Sequence, residues 1–249
     1  MIAMSNTGPS ARADIFLVTH GYARTRAEAQ EAIEAGKVFD GGRPVIKPSQ
    51  FLNETSRIKY ERAHPFVSRG ALKLAAALNR FELSPRGLVC LDLGASTGGF
   101  SEVLLMQGAQ RIYAVDVGHG QLDPKIAGDK RVVSMERVNA RELKPLPEAP
   151  QAIVADLSFI SLKLALPPAL AMAAAGAWLV ALVKPQFEAG REHIGKGGIV
   201  RDEAVRDAAL AGVMAWLCGV DGWKVLGTMD SPVKGGDGNR EFLLAARRS

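Results

Sequence analysis

The sequence predicts an α/β fold in which a mostly parallel sheet is covered by helices on both faces. Its strand-like runs are continuously apolar rather than alternating, which is typical of strands that are buried on two sides. Helix-like segments separate these runs, and parallel strands require such crossover connections. The predicted strands are 89–93, 111–115, 131–135, 152–156 and 177–183, and the predicted helices are 68–80, 100–106, 162–174 and 203–217.

The end of this region predicts a change in strand direction. Residues 223–228 and 241–245 are apolar enough to form strands, and the glycine-rich segment 235–238 between them is typical of a turn. The two strands are therefore expected to form a hairpin that closes the sheet with a terminal antiparallel strand. We expect one domain over 68–249.

The first sixty residues predict a separate, small α+β module over 12–60. Thr25 can cap a helix in which Glu28 completes a capping box. A unit of about fifty residues buries little apolar surface, so we expect an appended module rather than an independent protein. The predicted elements are a helix at 14–20, a helix from 25 to 36, strands at 37–39, 45–46 and 57–60, a tight turn at 40–43, a linker at 61–67 and a disordered tail at 1–11.

Composition limits the classes of protein to which the chain can belong. Its 249 residues carry a net charge of +5 and only two cysteines. Neither a disulfide framework nor a cysteine-built metal site is expected, and no metal is predicted. No apolar run approaches the roughly 20 residues of a membrane span, and the first residues are polar. These features predict a cytoplasmic protein, and the positive charge allows a polyanionic partner.

The stretch 89–100 combines an apolar strand, a glycine-rich turn and the start of a helix. Ligands bind against such turns at the carboxyl ends of parallel strands. The turn reads G-A-S-T-G-G, which does not fit the G-x-G-x-x-G spacing of a dinucleotide site. Acidic residues stand near the ends of this strand and the next one, at Asp92 and Asp116. Two acids and a glycine turn suit a ligand with a cation and a ribose, and S-adenosyl-L-methionine is such a ligand.

The expected contacts of this cofactor follow from the turn and the two acids. The backbone of the turn should hold the methionine part, Asp92 should attract its ammonium, and Asp116 should accept the ribose hydroxyls. A polar residue after the third strand is a candidate for the adenine edge. For Gly98 and Gly99, the alternative to cofactor binding is that they allow a helix to pack closely on a strand. The predicted cofactor residues are Asp92, Gly94, Ser96, Gly98, Gly99, Asp116 and Asn139.

Two lysines stand in unusual settings. Lys73 lies within an apolar helix, and Lys184 follows the apolar strand 177–183 at its carboxyl end. Asp156 ends the preceding strand in the same way, and Glu241 begins the last one. A lysine can act as a base where burial and a nearby cation favour its neutral form. The plain alternatives are a helix lysine that extends to solvent, an acid that caps a turn, and an exposed strand end.

Sequence motifs in both regions resemble known families. The segments ADIFLV at 13–18, TRAEAQ at 25–30, AGKV at 35–38 and DG at 40–41 resemble the ribosomal-protein-S-four-type RNA-binding module. The region 68–245 resembles the FtsJ-like class of S-adenosylmethionine-dependent RNA ribose methyltransferases. The motifs SRGALKL at 68–74, DLSFISL at 156–162, LVKPQFE at 182–188 and GNREFLL at 238–244 together resemble the TlyA family, which often carries the label hemolysin.

The resemblance implies a Rossmann-like methyltransferase sheet, the cofactor S-adenosyl-L-methionine, and 2′-O-methylation of cytidine in ribosomal RNA. It also implies a catalytic tetrad at Lys73, Asp156, Lys184 and Glu241. In this interpretation Lys184 is the base and Asp156 stabilises the protonated lysine. Lys73 and Glu241 position the ribose. The expected partner is ribosomal RNA or a ribosomal subunit, and the chain is expected to be a monomer.

The N-terminal module is expected to dock this RNA through basic residues near its helix start and turns, where phosphate contacts are natural. A solvated helix face is the plain alternative. The glycine-rich basic loop at 195–198 either closes over the substrate or is a connector. The predicted RNA-binding residues are Arg24, Arg26, Lys37, Arg43 and Arg69.

Three other functions compete with ribose methylation. A non-catalytic ribosome-assembly factor would not need all four tetrad residues together with the glycine turn. A membrane-active hemolysin is disfavoured, since the sequence has neither a spanning segment nor a long basic amphipathic helix. Base methylation in related folds commonly uses an Asn-Pro-Pro-Tyr-like motif or a cysteine, whereas the chain has DLSF at 156–159.

Overall fold

The structure of the protein is a computed structural model that describes residues 10–235 and 238–249. The chain divides into two compact units, Met1–Pro65 and Phe66–Ser249. Most of the predicted N-terminal tail, and the middle of the predicted turn at 235–238, lie outside the described residues. The start of the predicted linker contacts the first unit, because the Glu61 N–H donates to the Lys37 carbonyl.

The first unit packs two helices beside short antiparallel strands. Thr25 caps the second helix as predicted, since its hydroxyl accepts from the Glu28 N–H. Gly41 and Gly42 both have positive φ, which suits a two-residue hairpin turn. This turn pairs residues 40 and 43 directly, so the strand predicted at 45–46 is observed two residues earlier. The elements are β1 (Ala11–Arg12), α1 (Ala13–Thr19), α2 (Arg26–Glu34), β2 (Val38–Asp40), β3 (Arg43–Pro44), β4 (Phe51–Leu52) and β5 (Ile58–Tyr60).

The second unit is built on a seven-stranded sheet with the order β11-β12-β10-β9-β6-β7-β8. Within this order, the adjacent strands β10, β9, β6, β7 and β8 are parallel to one another, and β12 is antiparallel to both of its neighbours, β10 and β11. The predicted fold class is therefore confirmed. The strands are β6 (Val89–Leu93), β7 (Arg111–Asp116), β8 (Val132–Glu136), β9 (Ala152–Ala155), β10 (Trp178–Val183), β11 (Trp223–Asp230) and β12 (Phe242–Arg248).

Helices cover both faces of this sheet. Neighbouring residues of one strand, such as Cys90 and Leu91, belong to two different buried clusters, as expected for strands covered on both sides. The α-helices are α3 (Gly70–Arg80), α4 (Gly99–Met106), α5 (Pro124–Ala127), α6 (Leu162–Ala165), α7 (Pro167–Met172), α8 (Pro185–Glu188) and α9 (Glu203–Cys218), and two 3-10 helices cover Ala140–Glu142 and Arg191–His193.

Two helix predictions need correction. The helix predicted over 162–174 is two helices, because Pro167 has no N–H to continue the first one and instead occupies the start of the second. The helix predicted from Ser68 begins two residues later, at Gly70, and has no side-chain cap. The Ser68 side chain lies against Gly99 instead, at the start of α4.

Candidate active site

The sheet register brings three of the predicted tetrad residues to one edge. Strands β9 and β10 run parallel, so Asp156 and Lys184 both follow carboxyl ends on the same side of the sheet. Strand β12 runs the opposite way, and Phe242 pairs with Val183. Glu241, which precedes Phe242, therefore lies at that same edge. Asp156 and Glu241, which are 85 positions apart in the sequence, lie at the same edge because β12 runs antiparallel to β10.

Lys184 forms an ion pair with Asp156 at this edge. The distance from Lys184 Nζ to Asp156 Oδ1 is 2.6 Å, and Nζ also donates to Ser158 Oγ at 2.8 Å. The lysine is 9% exposed, so it is not the exposed strand end that the sequence left open. A buried ammonium beside a carboxylate gains Coulomb energy that solvent screens weakly.

Lys73 and Glu241 form a second pair, which is more deeply buried. Lys73 Nζ lies 2.7 Å from Glu241 Oε2, and both side chains are almost completely enclosed. The second carboxylate oxygen of Glu241 packs against Gly235, where a Cβ would collide with it. Lys73 therefore does not extend to solvent, and the alternative of an ordinary helix lysine is excluded.

Helix α3 joins the two pairs. A Cβ built on Gly70 would lie 3.7 Å from Asp156 Oδ2, so the first turn of α3 packs against the Asp156 carboxylate. Lys73 lies one turn further along this helix and faces Glu241. The structure thus assembles all four predicted tetrad residues in one region.

A cleft with a volume of about 320 Å³ opens beside Asp156. It has the size of a small-molecule site. Most of its lining comes from the turn after β6, the loops after β7 and β8, and the loop after β9. The lining residues are Gly94, Ser96, Val115, Asp116, Val117, Gln121, Val138, Asn139, Ala140, Asp156, Leu157, Ser158, Phe159 and Ile160.

Four predicted cofactor residues line this cleft. Asp116 accepts from the Ser96 N–H at 2.8 Å and from the Gly118 N–H at 2.7 Å, so backbone donors fix its carboxylate. Asn139 accepts from the Arg141 N–H and caps a 3-10 helix. Gly94 has a φ of +80°, and a Cβ there would lie 2.6 Å from the Asp156 carbonyl oxygen. Only glycine fits that turn and that close approach.

Asp92, Gly98 and Gly99 do not line the cleft. A Cβ on Gly98 would lie 2.9 Å from Leu122, and one on Gly99 would overlap Ser68. These two glycines therefore allow close packing, but of the start of α4 against the regions of α3 and α5 rather than of a helix on a strand, as the alternative had it. Their predicted contact with a cofactor has no support from the cleft lining.

Asp92 is completely buried at the end of β6. One oxygen accepts from the Ser101 hydroxyl at 2.7 Å, and the other has no hydrogen-bond partner among the described residues. Burial, acting against the Ser101 hydrogen bond and together with the nearby charges of Asp156 and Asp116, raises the pKa of Asp92 to about 7. This environment disfavours a carboxylate, and the predicted attraction to an ammonium stays a prediction.

Several site features were missed by the sequence prediction. Phe159 is 91% exposed, has a φ of +65°, and lies 5.2 Å from Phe187 between ring centroids. A bulky residue in that backbone region is strained, and such strain clusters at functional sites. Gln121 also lines the cleft and accepts from the Ser96 hydroxyl. Phe159 is part of the DLSF motif at 156–159, but nothing in the sequence indicated that its side chain would be exposed.

The basic residues of the first unit are placed unevenly. Arg26 donates hydrogen bonds to the buried Asp14. Hydrogen bonds from Arg12, and then from Arg26 and Gln30, hold the pKa of Asp14 well below its usual range although burial acts to raise it. Arg24 pairs with Glu28 and Lys37 with Glu61, while Arg43 is exposed in β3. Arg69 precedes α3 in the second unit.

The basic loop at 195–198 is anchored rather than loose. The buried Asn239 accepts from the Val200 N–H at 3.0 Å and donates to the Gly198 carbonyl at 2.9 Å. The loop is therefore tied to the segment that leads into Glu241. This anchoring was not predicted.

The second unit matches a known family model. The model of FtsJ-like methyltransferases covers residues 66–248, which include the sheet, the cleft and both ion pairs. The chain belongs to the FtsJ-like methyltransferase family. The S4 domain model covers residues 11–58 of the same chain, so the predicted resemblance of both regions is confirmed.

Relatives of this FtsJ-like chain extend over nearly its whole length. It is 45% identical over 243 residues to the 16S/23S rRNA (cytidine-2′-O)-methyltransferase TlyA of Mycobacterium tuberculosis, covering 95% of this chain and 90% of that protein. It is 39% identical to Hemolysin A of Brachyspira hyodysenteriae, covering 93% and 98%. A solved structure of a hemolysin-named protein from Streptococcus thermophilus matches 97% of this chain and 89% of its own, with a TM-score of 0.76 and 42% identity. The predicted membership of the TlyA family is confirmed.

Proposed function

We propose that the protein transfers a methyl group from S-adenosyl-L-methionine to a ribose 2′-hydroxyl of ribosomal RNA, with cytidine as the target nucleoside. The observation that carries this proposal is the assembly of two lysine–carboxylate pairs near the cleft, one buried on both sides and one whose Asp156 is partly exposed. The activity in the name of the relative from Mycobacterium tuberculosis supports the substrate and the nucleoside.

The cleft residues fit the proposed cofactor. Asp116 presents a fixed carboxylate that suits two ribose hydroxyls. The turn at Gly94 brings bare backbone to the cleft wall, and Asn139 offers an amide for the adenine edge. When bound, S-adenosyl-L-methionine supplies an electrophilic methyl group on a positively charged sulfur.

A ribose hydroxyl is a poor nucleophile because it holds its proton tightly, and the tetrad offers a base that can take this proton. In the proposed reaction Lys184 Nζ would take the proton of the ribose hydroxyl as its oxygen attacks, and the bound S-adenosyl-L-methionine would supply the methyl group and leave as S-adenosylhomocysteine. Asp156 then stabilises the new ammonium, from which it lies 2.6 Å. A cation bound beside Lys184 would favour the neutral amine before the reaction. Lys73 and Glu241, held rigidly by burial, would position the ribose.

The substrate class also has support from the exposed groups. Phe159 offers an aromatic face at the cleft, and RNA-modifying sites commonly hold an unstacked base against such a face. In the S4-type unit, Arg24, Arg26, Lys37 and Arg43 are the proposed phosphate contacts. With ribosomal RNA as substrate, we propose that the protein acts in the cytoplasm, as a monomer.

Mapping of 2′-O-methyl groups on ribosomal RNA, with and without the protein, tests the proposal. Lys184→Ala should abolish methylation while S-adenosylhomocysteine still binds in a calorimetric titration, because Lys184 does not line the cofactor cleft. Lys144→Ala, which removes an exposed lysine, serves as the control and should methylate normally. Near-normal turnover by Lys184→Ala would remove Lys184 as the base, and a methyl group found on a base would exclude ribose methylation.

The competing functions have less support. No helix among the residues that the structure describes is long and apolar enough to cross a membrane. A non-catalytic RNA-binding factor would leave the methylation map unchanged. The paired lysines and acids favour catalysis, since burying three ionisable groups costs desolvation energy that a purely structural role would not require.

A further inference from the structure

Ser158 contacts the proposed base directly. Its hydroxyl accepts from Lys184 Nζ at 2.8 Å, and the residue lines the cleft. Asp156 Oδ1 is closer to Nζ, at 2.6 Å, and forms an ion pair with it. Asp156 therefore supplies negative charge to Lys184, and Ser158 adds a hydrogen bond to the same nitrogen.

The loop that carries Ser158 is fastened at its far end by Glu188. Glu188 accepts from the Ser161 hydroxyl at 2.6 Å and from the Leu162 N–H at 2.7 Å. It ends α8, the short helix that Lys184 precedes. The loop is thus tied to the segment after β10 at two points, Ser158 to Lys184 and Ser161 to Glu188. Such double attachment fixes the loop relative to the lysine.

The backbone of the same loop agrees with this fixation. Phe159 follows Ser158 immediately and is held in the left-handed region, with a φ of +65°. A phenylalanine adopts this conformation only where surrounding contacts impose it. The side-chain contacts of Ser158 and Ser161 lie on either side of Phe159 in the loop.

We propose that Ser158 is a positioning residue that orients Lys184 Nζ toward the substrate hydroxyl, and that Glu188 holds the loop in which Ser158 lies. This inference rests on the proposed function. A neutral lysine has two N–H bonds and one lone pair. An N–H donated to Ser158 restricts rotation of the amine, while Asp156 occupies a second direction. The remaining direction is available to the hydroxyl, whose proton becomes the third N–H of the ammonium.

Three serine variants test the role of Ser158 in single-turnover methylation of ribosomal RNA. Ser158→Ala should lower the rate at saturating substrate about tenfold or more, as expected for a lost hydrogen bond to a charged group. Its KM for RNA and its affinity for S-adenosylhomocysteine should change less than about threefold. Ser158→Thr keeps the hydroxyl and should recover most of the rate. Ser84→Ala, which removes an exposed serine hydroxyl far from the site in sequence, is the matched control.

A second pair of variants tests the anchor. Glu188→Gln retains an oxygen that can accept from the Leu162 N–H and an amide that can donate to Ser161. It should therefore keep near-normal rates. Glu188→Ala removes both contacts and should reproduce the loss of rate seen for Ser158→Ala.

The results separate this inference from the proposed function. If the wild-type protein places no methyl group on ribose, the proposed function fails. If the wild type methylates ribose and Ser158→Ala does so equally fast, the positioning role is wrong while the proposed function stands. If Ser158→Ala loses affinity for S-adenosylhomocysteine and threonine restores nothing, Ser158 is only part of the cofactor wall, which also overturns the positioning role.

Discussion

The buried pair of Lys73 and Glu241 allows a quantitative prediction for stability. Removing one partner of a buried ion pair leaves the other charge without compensation, which typically costs about 3–5 kcal/mol. Both side chains here are less than a tenth exposed and 2.7 Å apart, so Lys73→Met and Glu241→Leu should each fall in that range. The double variant replaces both charges by apolar groups of similar size. It should lie within about 2 kcal/mol of the wild type.

Urea unfolding followed by tryptophan fluorescence measures these costs. The three tryptophans are Trp178, Trp216 and Trp223, and all belong to the second unit, so the signal reports on the unit that contains the pair. Each single variant should also lower the thermal midpoint by about 6–20 °C. The double variant should fold but fail to methylate RNA.

Two outcomes would refute this reasoning. Single variants that cost less than about 1 kcal/mol would mean that water reaches the pair and screens it. Costs that simply add in the double variant would mean that the two side chains do not interact. Lys144→Met, at an exposed lysine, controls for general effects of losing a positive charge and should change stability by less than about 0.5 kcal/mol.

Three further variants probe the cleft and its surroundings. Gly94→Ala would place a Cβ 2.6 Å from the Asp156 carbonyl at a φ of +80°. It should weaken binding of S-adenosylhomocysteine at least tenfold by calorimetry, and unchanged affinity would exclude this strain. Phe159→Gly removes a 91% exposed side chain from a residue with positive φ. Stability should therefore stay the same or rise by about 1 kcal/mol while methylation slows. A clear loss of stability would contradict the interpretation that the Phe159 backbone is strained. The pKa of Asp92 is raised from 3.8 to about 7, so its contribution to stability is present below pH 4 and is lost as pH rises toward 7. Asp92→Asn should therefore gain stability relative to wild type between pH 5 and pH 8, and an equal difference at both values would mean that Asp92 is ionised throughout.

The main features of the sheet could be predicted because its strands are apolar without interruption. Runs such as 152–155 have no polar face, and this pattern is typical of a strand buried on both sides. Helix ends were less predictable. Pro167 divides the helix predicted at 162–174 into α6 and α7, although the apolar residues continue past it. Apolar patterning records which face is buried, not where the backbone hydrogen bonds stop.

The resemblance to the TlyA family implied the tetrad positions, and the structure brings three of them to one edge because they adjoin strands. Residues next to the ends of strands are brought together by the sheet itself, whatever their separation in sequence. Ser158 and Glu188 could not be found this way. Their contacts depend on the path of the loop after β9 and on the short helix after β10, and no periodic pattern describes either segment.

Asp156 connects the two parts of the proposed site. Its carboxylate pairs with Lys184, its side chain faces the first turn of α3, and its carbonyl oxygen lies against Gly94. The residue also lines the cleft. A ligand that enters the cleft therefore changes the surroundings of the carboxylate that stabilises the lysine. A positively charged ligand there would lie beside Asp156 and weaken the attraction between this carboxylate and Lys184. Occupation of the cleft would then change the contacts of Lys184, so the glycine turn and the tetrad would act together rather than as two neighbouring sites.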